Sequence, residues 1–294
     1  FALDNKGTIR EAVNTFKKRI ELRPDPEITM EEEKAKKIIL SLIPKEAAVE
    51  DLKFDPFRSI VVIETEKPGL VIGKQGEILK EIKEKTCWVP IVERTPAIKS
   101  PITQDIRNVL YINSEERRKF LDKTGHRIYD GWIREKKNEW IRLTHLGGAR
   151  QVGRSCLFLQ TPESRILLDC GIDVASDSEP YPFLEAPEFN IKELDAVIIS
   201  HAHLDHTGLL PYLFKFGYDG PVYCTAPTRD IMALLQLDII KITHGELKDP
   251  LYTTDEIKQM VLHTIPIGYE EVTDITPDVR LTFYNAGHIL GSAL

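Results

Sequence analysis

Six consecutive residues, His201-Ala202-His203-Leu204-Asp205-His206, follow directly on the run Ala196-Val197-Ile198-Ile199-Ser200, and they constrain the fold more than any other part of the chain. The run is rich in β-branched residues and predicts a buried strand over residues 195–200. Three imidazoles and a carboxylate at a strand end cannot all be core, because each would need its own buried partner. A metal ion satisfies them together. In an extended backbone the i, i+2 spacing projects His201 and His203 toward one centre, and Asp205 and His206 then face a neighbouring one. Imidazole and carboxylate without thiolate favour zinc, with manganese or iron as alternatives. The bland reading is a histidine-rich surface loop, but such a loop would not follow a β-branched strand and lead into Thr207-Gly208-Leu209-Leu210-Pro211.

The surrounding rhythm is that of a sheet domain. Residues 140–146, 155–160 and 165–169 read as short strands separated by Gly and Pro turns. Helices are expected over residues 209–216 and 228–242, and strands over 221–224 and 279–285. Two further polar residues fall in suggestive places, Asp169 in Leu167-Leu168-Asp169-Cys170-Gly171 and His288 in Ala286-Gly287-His288-Ile289-Leu290-Gly291-Ser292. Alone, Asp169 is equally a strand-end turn former and His288 equally a loop residue. Their order around the histidine cluster makes both candidates for the same centre.

Upstream, residues 30–94 read as a smaller α/β unit. A helix over 31–42 carries Ala35, Ile38, Ile39 and Leu42 on one face and is stopped by Pro44; strands follow over 48–54 and 59–65. After Pro68 come Gly73-Lys74-Gln75-Gly76, an amphipathic helix with Ile78, Leu79 and Ile82 inward, and a strand over 87–92. Two glycines flanking two polar residues between helices let a phosphate chain approach the backbone, as in the G-x-x-G clamp for about four nucleotides, and Lys74 adds a cation. A plain helix-to-helix turn is the alternative. The order helix, strand, strand, helix, loop, helix, strand favours the clamp.

The first 26 residues read as the end of a second copy, Gly7 aligning with Gly76, a helix over 9–19 and a strand over 20–22. Asp4 stands where Gly73 stands in the complete copy, so this one is expected to be a spacer and not a clamp. Residues 97–138 are densely charged with both signs and read as a helical linker, with Arg117, Arg118, Arg127, Arg134, Lys136 and Lys137 on solvated faces. The domains expected are therefore 1–26, 27–96, 97–138 and 139–294.

Several classes are excluded. No stretch approaches the roughly 18 apolar residues of a membrane span. The net charge of −7 argues against holding nucleic acid by a global positive field, so any contact must be local. Cys87, Cys156, Cys170 and Cys224 form no C-x-x-C pair, which fits neither a disulfide framework nor a Cys-rich zinc finger and suits a reducing cytoplasm. The chain opens with Phe1, without a leader, inside what reads as a repeat, and ends inside a motif, as expected of a piece of a longer polypeptide.

H-x-H-x-D-H after an apolar strand, with the Asp169 and His288 motifs, resembles the metallo-β-lactamase superfamily. The segment Gly147-Gly148-Ala149-Arg150-Gln151-Val152-Gly153-Arg154-Ser155 is similar to its β-CASP branch of nucleases. The G-x-x-G unit resembles a KH domain of the prokaryotic type. Together they resemble the archaeal relatives of the cleavage and polyadenylation specificity factor nuclease. The resemblance implies a multidomain α/β and α+β fold, KH modules followed by part of an αββα sandwich. It implies a zinc-dependent ribonuclease of RNA 3′-end formation and transcription termination. His201, His203 and His288 would bind one zinc and Asp205 and His206 a second, with Asp169 orienting a ligand; Asp205, His206 and Asp169 would serve catalysis. A bridging Asp, a further His and the β-CASP insertion would lie beyond Leu294. Single-stranded RNA at Gly73, Lys74, Gln75 and Gly76, the transcription machinery and a second copy of the chain are the partners expected. Rival readings are a thioester hydrolase of the same fold and a non-catalytic RNA-binding subunit.

Overall fold

The computed structural model describes residues 6–16, 20–96, 99–130, 139–176 and 178–294, in two units, Phe1–Lys99 and Ser100–Leu294. In the first, α1 (Lys6–Phe16) is followed by α2 (Glu32–Leu42), β1 (Val49–Asp55), β2 (Ile60–Thr65), α3 (Pro68–Ile72), α4 (Glu77–Thr86) and β3 (Val89–Arg94). The strands form one sheet in the order β1-β2-β3, β1 antiparallel and β3 parallel to the central β2. A central strand is covered on both faces, which is why Ile60, Val61, Val62 and Ile63 form a continuous apolar run with all four buried. Ala35 and Ile39 of α2 and Ile82 of α4 pack on Val61, Ile63 and Trp88. Trp88 donates from Nε1 to the Met30 carbonyl (2.7 Å) and meets the ring of Phe54 edge-on.

The element order of residues 30–94 is as the sequence predicts, but the expected strand at 20–22 does not form; residues 20–25 are irregular. The three-stranded sheet leaves them no partner, and a strand without a ladder has nothing to satisfy its amides. Gly7 lies within α1 and not in a loop before it, while Asp4 and Asn5 fall outside the described residues.

The second unit begins with α5 (Pro101–Ile112) and α6 (Ser114–Tyr129), then β4 (Arg142–Gly147), β5 (Cys156–Gln160), β6 (Arg165–Leu168) and β7 (Ala196–Ile198). There follow α7 (Leu204–Thr207), α8 (Leu210–Lys215), β8 (Val222–Cys224), α9 (Ala226–Gly245), α10 (Thr254–His263), β9 (Thr264–Pro266), β10 (Thr273–Asp274) and β11 (Arg280–Leu281). One six-stranded sheet runs β4-β5-β6-β7-β8-β9, antiparallel as far as β6 and parallel from there. Alternation along its strands divides the side chains between two cores. Leu167, Val197 and Val222 face α8, α9 and α10, while Ile166, Ala196 and Tyr223 face Ile275, Phe283 and Ala293. The strand expected over 279–285 is reduced to β11 and single bridges from Phe283 and Asn285, because its only laddered neighbour is the two-residue β10.

The expected linker is a correction. Residues 101–129 are two helices belonging to the second unit, α5 lying on α9 and α10 and α6 on α10. Arg117 is buried, and its guanidinium donates to the carbonyls of Leu262 and Thr264 at the α10–β9 junction. Phe120 stacks on His263 (4.2 Å), and Arg107 of α5 pairs with Asp230 of α9 (2.8 Å). Residues 131–138, with Arg134, Lys136 and Lys137, lie outside the described residues. Among the described residues no helix is long and apolar enough to cross a membrane.

Replacing Arg117 by Leu strands two buried carbonyls and should lower the unfolding free energy of this unit by about 2–4 kcal/mol. Urea denaturation followed by near-UV circular dichroism measures the loss; an unmoved midpoint would return α6 to the role of a spacer.

Candidate metal centre

The predicted ligands gather beyond the carboxyl ends of the parallel strands β6 and β7, the end of an open α/β sheet where ligands generally bind. Asp169 closes β6 with a left-handed backbone (φ +59°), which turns the chain under the β7 loop. Its amide donates to the Ile198 carbonyl (2.8 Å), and its carboxylate accepts the Ser200 amide (2.8 Å), the Ser200 hydroxyl (2.9 Å) and Nδ1 of His206 (2.7 Å). Next to it, Gly171 passes so close to α7 that a Cβ would stand 1.7 Å from the Asp205 carbonyl oxygen. Only glycine fits there, and the Ser155 and Cys170 amides then reach the Asp205 and His206 carbonyls (both 2.8 Å).

These contacts fix which ring nitrogens face the centre. A carboxylate only accepts, so the His206 Nδ1 that meets Asp169 carries the proton and Nε2 keeps its lone pair. Ser200 spends its own proton on Asp169 and must accept from Nδ1 of His201, 3.0 Å away, which leaves Nε2 of His201 bare. That nitrogen lies 3.2 Å from Nδ1 of His203, which in turn lies 3.3 Å from Nε2 of His288. A tetrahedral ion with bonds of 2.0–2.1 Å sets its ligand atoms roughly 3.3 Å apart. His201, His203 and His288 thus form one group spaced to hold an ion, and His201, Asp205 and His206 a second, with Asp205 Oδ2 3.5 Å from His206 Nε2. The nitrogen and oxygen donors fit zinc without choosing it over manganese or iron.

His288 arrives from far along the chain. Its amide and that of Ile289 donate to the Ser292 hydroxyl (both 3.2 Å), and the Gly291 carbonyl takes hydrogen bonds from Thr225 (2.7 Å) and Thr228 (3.0 Å) at the start of α9. The loop is therefore seated on a helix end.

Charge is distributed unevenly. Burial, then the neighbouring His206, push His201 down to about 4 despite the pull of Asp169, so its ring is neutral near pH 7. Burial also pulls His206 down, but the hydrogen bond and charge of Asp169, with the charge of Asp205, outweigh it and hold His206 above the ordinary imidazole value.

The other predicted site lies in the first unit. Gly73 (φ +73°), Gln75 (φ +53°) and Gly76 (φ +79°) turn the chain sharply between α3 and α4, with Lys74 and Gln75 exposed. The Lys74 amide is lightly engaged, 3.4 Å from the Glu77 carboxylate. Among the residues that matter, sequence reasoning passed over Ser200 as a strand end, though a hydroxyl next to the first histidine is a usable signal, and it gave Gly171 no role of its own.

Residues 158–294 match the Metallo-beta-lactamase superfamily domain and residues 34–86 the KH domain. The chain is 52% identical over 293 residues to transcription termination factor FttA of Methanothermobacter thermautotrophicus, covering 99% of the chain and 46% of that protein. Identity is 50% over 292 residues to the Methanosarcina mazei protein of the same name (99% and 46%), and 51% over 294 residues to that of Pyrococcus abyssi (97% and 45%). Nearly the whole of the chain is thus similar to these archaeal proteins. It spans about half the length of the curated relatives it matches. Both modules implied by the resemblance are present, the KH domain first and a metallo-β-lactamase fold after it, a hydrolase fold whose family houses metal ions.

In the metal-free chain, imidazole NMR should find His201 neutral down to about pH 4 and His206 titrating above the ordinary imidazole value. The two act oppositely on stability. His206, raised on folding, adds stability in full below about 6.5 that is lost as pH climbs through its folded value; His201, lowered, removes stability as pH falls from about 6.5 toward its folded value. Asp169→Asn should let burial win and bring His206 below the ordinary value. An unmoved His206 titration in that variant would refute the role given to the carboxylate.

Proposed function

We propose that the chain carries the RNA-binding module and part of the metal centre of a zinc-dependent ribonuclease that cuts RNA in 3′-end formation or transcription termination, working in the archaeal cytoplasm. One observation carries the proposal: two groups of metal-spaced donors sharing His201 stand at the strand ends of a chain that also bears a G-x-x-G loop. The name of the relatives supports it.

His201, His203 and His288 would hold one ion and Asp205 and His206 the other. Ions there supply Lewis acidity, for an attacking water and for the charge on phosphate. The chain's own residues prepare that chemistry. Ser200 and Asp169 fix the tautomers of His201 and His206, so their Nε2 lone pairs point outward without reorganisation. His201 needs no deprotonation near neutral pH. Asp205, partly exposed, would hold the attacking oxygen. At the KH loop, the paired glycines admit the phosphate chain and Lys74 meets its charge. The transcription machinery is a partner on the strength of the relatives' name, and a second copy of the chain rests on the resemblance alone.

A polypeptide extended to the length of the relatives should cut labelled single-stranded RNA when zinc is supplied and stop on chelation. His203→Ala should slow cutting by more than about 100-fold, beyond the range for merely supporting residues. Gly73→Asp with Gly76→Asp should raise KM on long RNA with kcat little changed. Hydrolysis of a thioester with RNA left intact would transfer the reading to a small-molecule hydrolase, and RNA bound but uncut with metal present to a non-catalytic subunit.

A further inference from the structure

The one-turn helix α7 carries both Asp205 and His206, and four residues cannot hold a helix by themselves. Its carbonyls are all taken by tertiary donors. Leu204 accepts from the Ile172 amide (3.0 Å), Asp205 from Ser155 (2.8 Å) and His206 from Cys170 (2.8 Å). The next two are served by side chains: the Thr207 carbonyl accepts Nε2 of Gln236 (2.9 Å), and the Gly208 carbonyl the hydroxyl of Tyr252 (2.9 Å).

Both donors are buried. Gln236 is fully buried on the inner face of α9, between Met232 and Ile240, and Tyr252 is buried just before α10. A carbonyl only accepts, so the amide nitrogen of Gln236 must face Thr207; its Oε1 then has no partner. Leaving a buried amide oxygen unpaired costs free energy that a leucine or methionine would spare. For core packing alone Gln236 is a poor choice. Its hydrogen bond is spent on the residue that follows His206.

We propose that Gln236 and Tyr252 are positioning residues for the second metal group: by holding the Thr207 and Gly208 carbonyls from inside the core, they set the direction in which Asp205 and His206 leave α7. The inference rests on the metal reading above. The first group is built differently, from the extended residues His201 and His203 and from the His288 loop seated on Thr225 and Thr228, and the hydrogen bonds of Gln236 and Tyr252 go to Thr207 and Gly208 and to none of its three histidines.

Cobalt(II) titration of the polypeptide extended to the length of the relatives, read by visible absorption, separates the cases. The parent should take up two ions of unequal affinity. Gln236→Met and the milder Tyr252→Phe should each weaken the second ion by about 10- to 100-fold, as loss of supporting hydrogen bonds does elsewhere, and leave the first unchanged; amide hydrogen exchange should quicken at residues 204–208. Equal weakening of both ions, in step with a fall in Tm, would reduce the pair to ordinary core residues and overturn the proposal, as would unchanged titrations. A parent that takes up no cobalt overturns the metal reading itself, a result distinguishable from either.

Discussion

The carboxylate of Asp169 is the contact on which the metal centre depends. It receives three hydrogen bonds, two from Ser200 and one from His206, each worth roughly 1.5–3 kcal/mol when one partner is charged. Against that stands the left-handed backbone of a non-glycine residue, roughly 1–2 kcal/mol, together with the cost of burying a charge. These bonds do more than stabilise. Through them two strands of the sheet, two imidazole tautomers and one proton are set by a single side chain that need touch no metal.

Much of this is legible in sequence for a physical reason. The ligands cluster within six residues after a strand whose β-branched run announces itself, and the G-x-x-G turn sits between helices with regular apolar spacing. Where the reading fails, the determinants are not hydrophobic. The inward face of α6 is built from Arg117, Phe120 and Thr124, and a buried guanidinium that serves backbone carbonyls looks, in sequence, like one more charge on a solvated helix. The strand expected at 20–22 fails for the converse reason, since its residues suit a sheet in which no neighbour exists. Gln236 is hidden in the same way as Arg117, a polar residue inside a helix where pattern alone predicts a flaw. The Thr253 to Glu256 capping box, by contrast, is a local signal that would have located α10.

The acidic balance of the chain gives the two units different physical tasks. On the reading proposed, a net charge of −7 leaves little general attraction for a polyanion, so affinity would come from backbone exposed at a tight turn with one lysine. Chemistry at the second unit would depend on donors whose protons are placed in advance. Neither arrangement needs the broad positive surface that marks many nucleic-acid binders.

The seat of His288 has a consequence for biogenesis. His203 and His288 are 85 residues apart, whereas His201, His203, Asp205 and His206 leave the ribosome together. At synthesis rates of roughly 5–20 residues per second, His288 follows its partners by roughly 4–17 s. For that interval the nascent chain would offer two imidazoles of the first group, with Asp205 and His206 of the second, to whatever cation is free in the cell. If the two groups hold metal as proposed, the order in which they could fill would follow chain order, with the first completed only when the His288 loop docks onto α9.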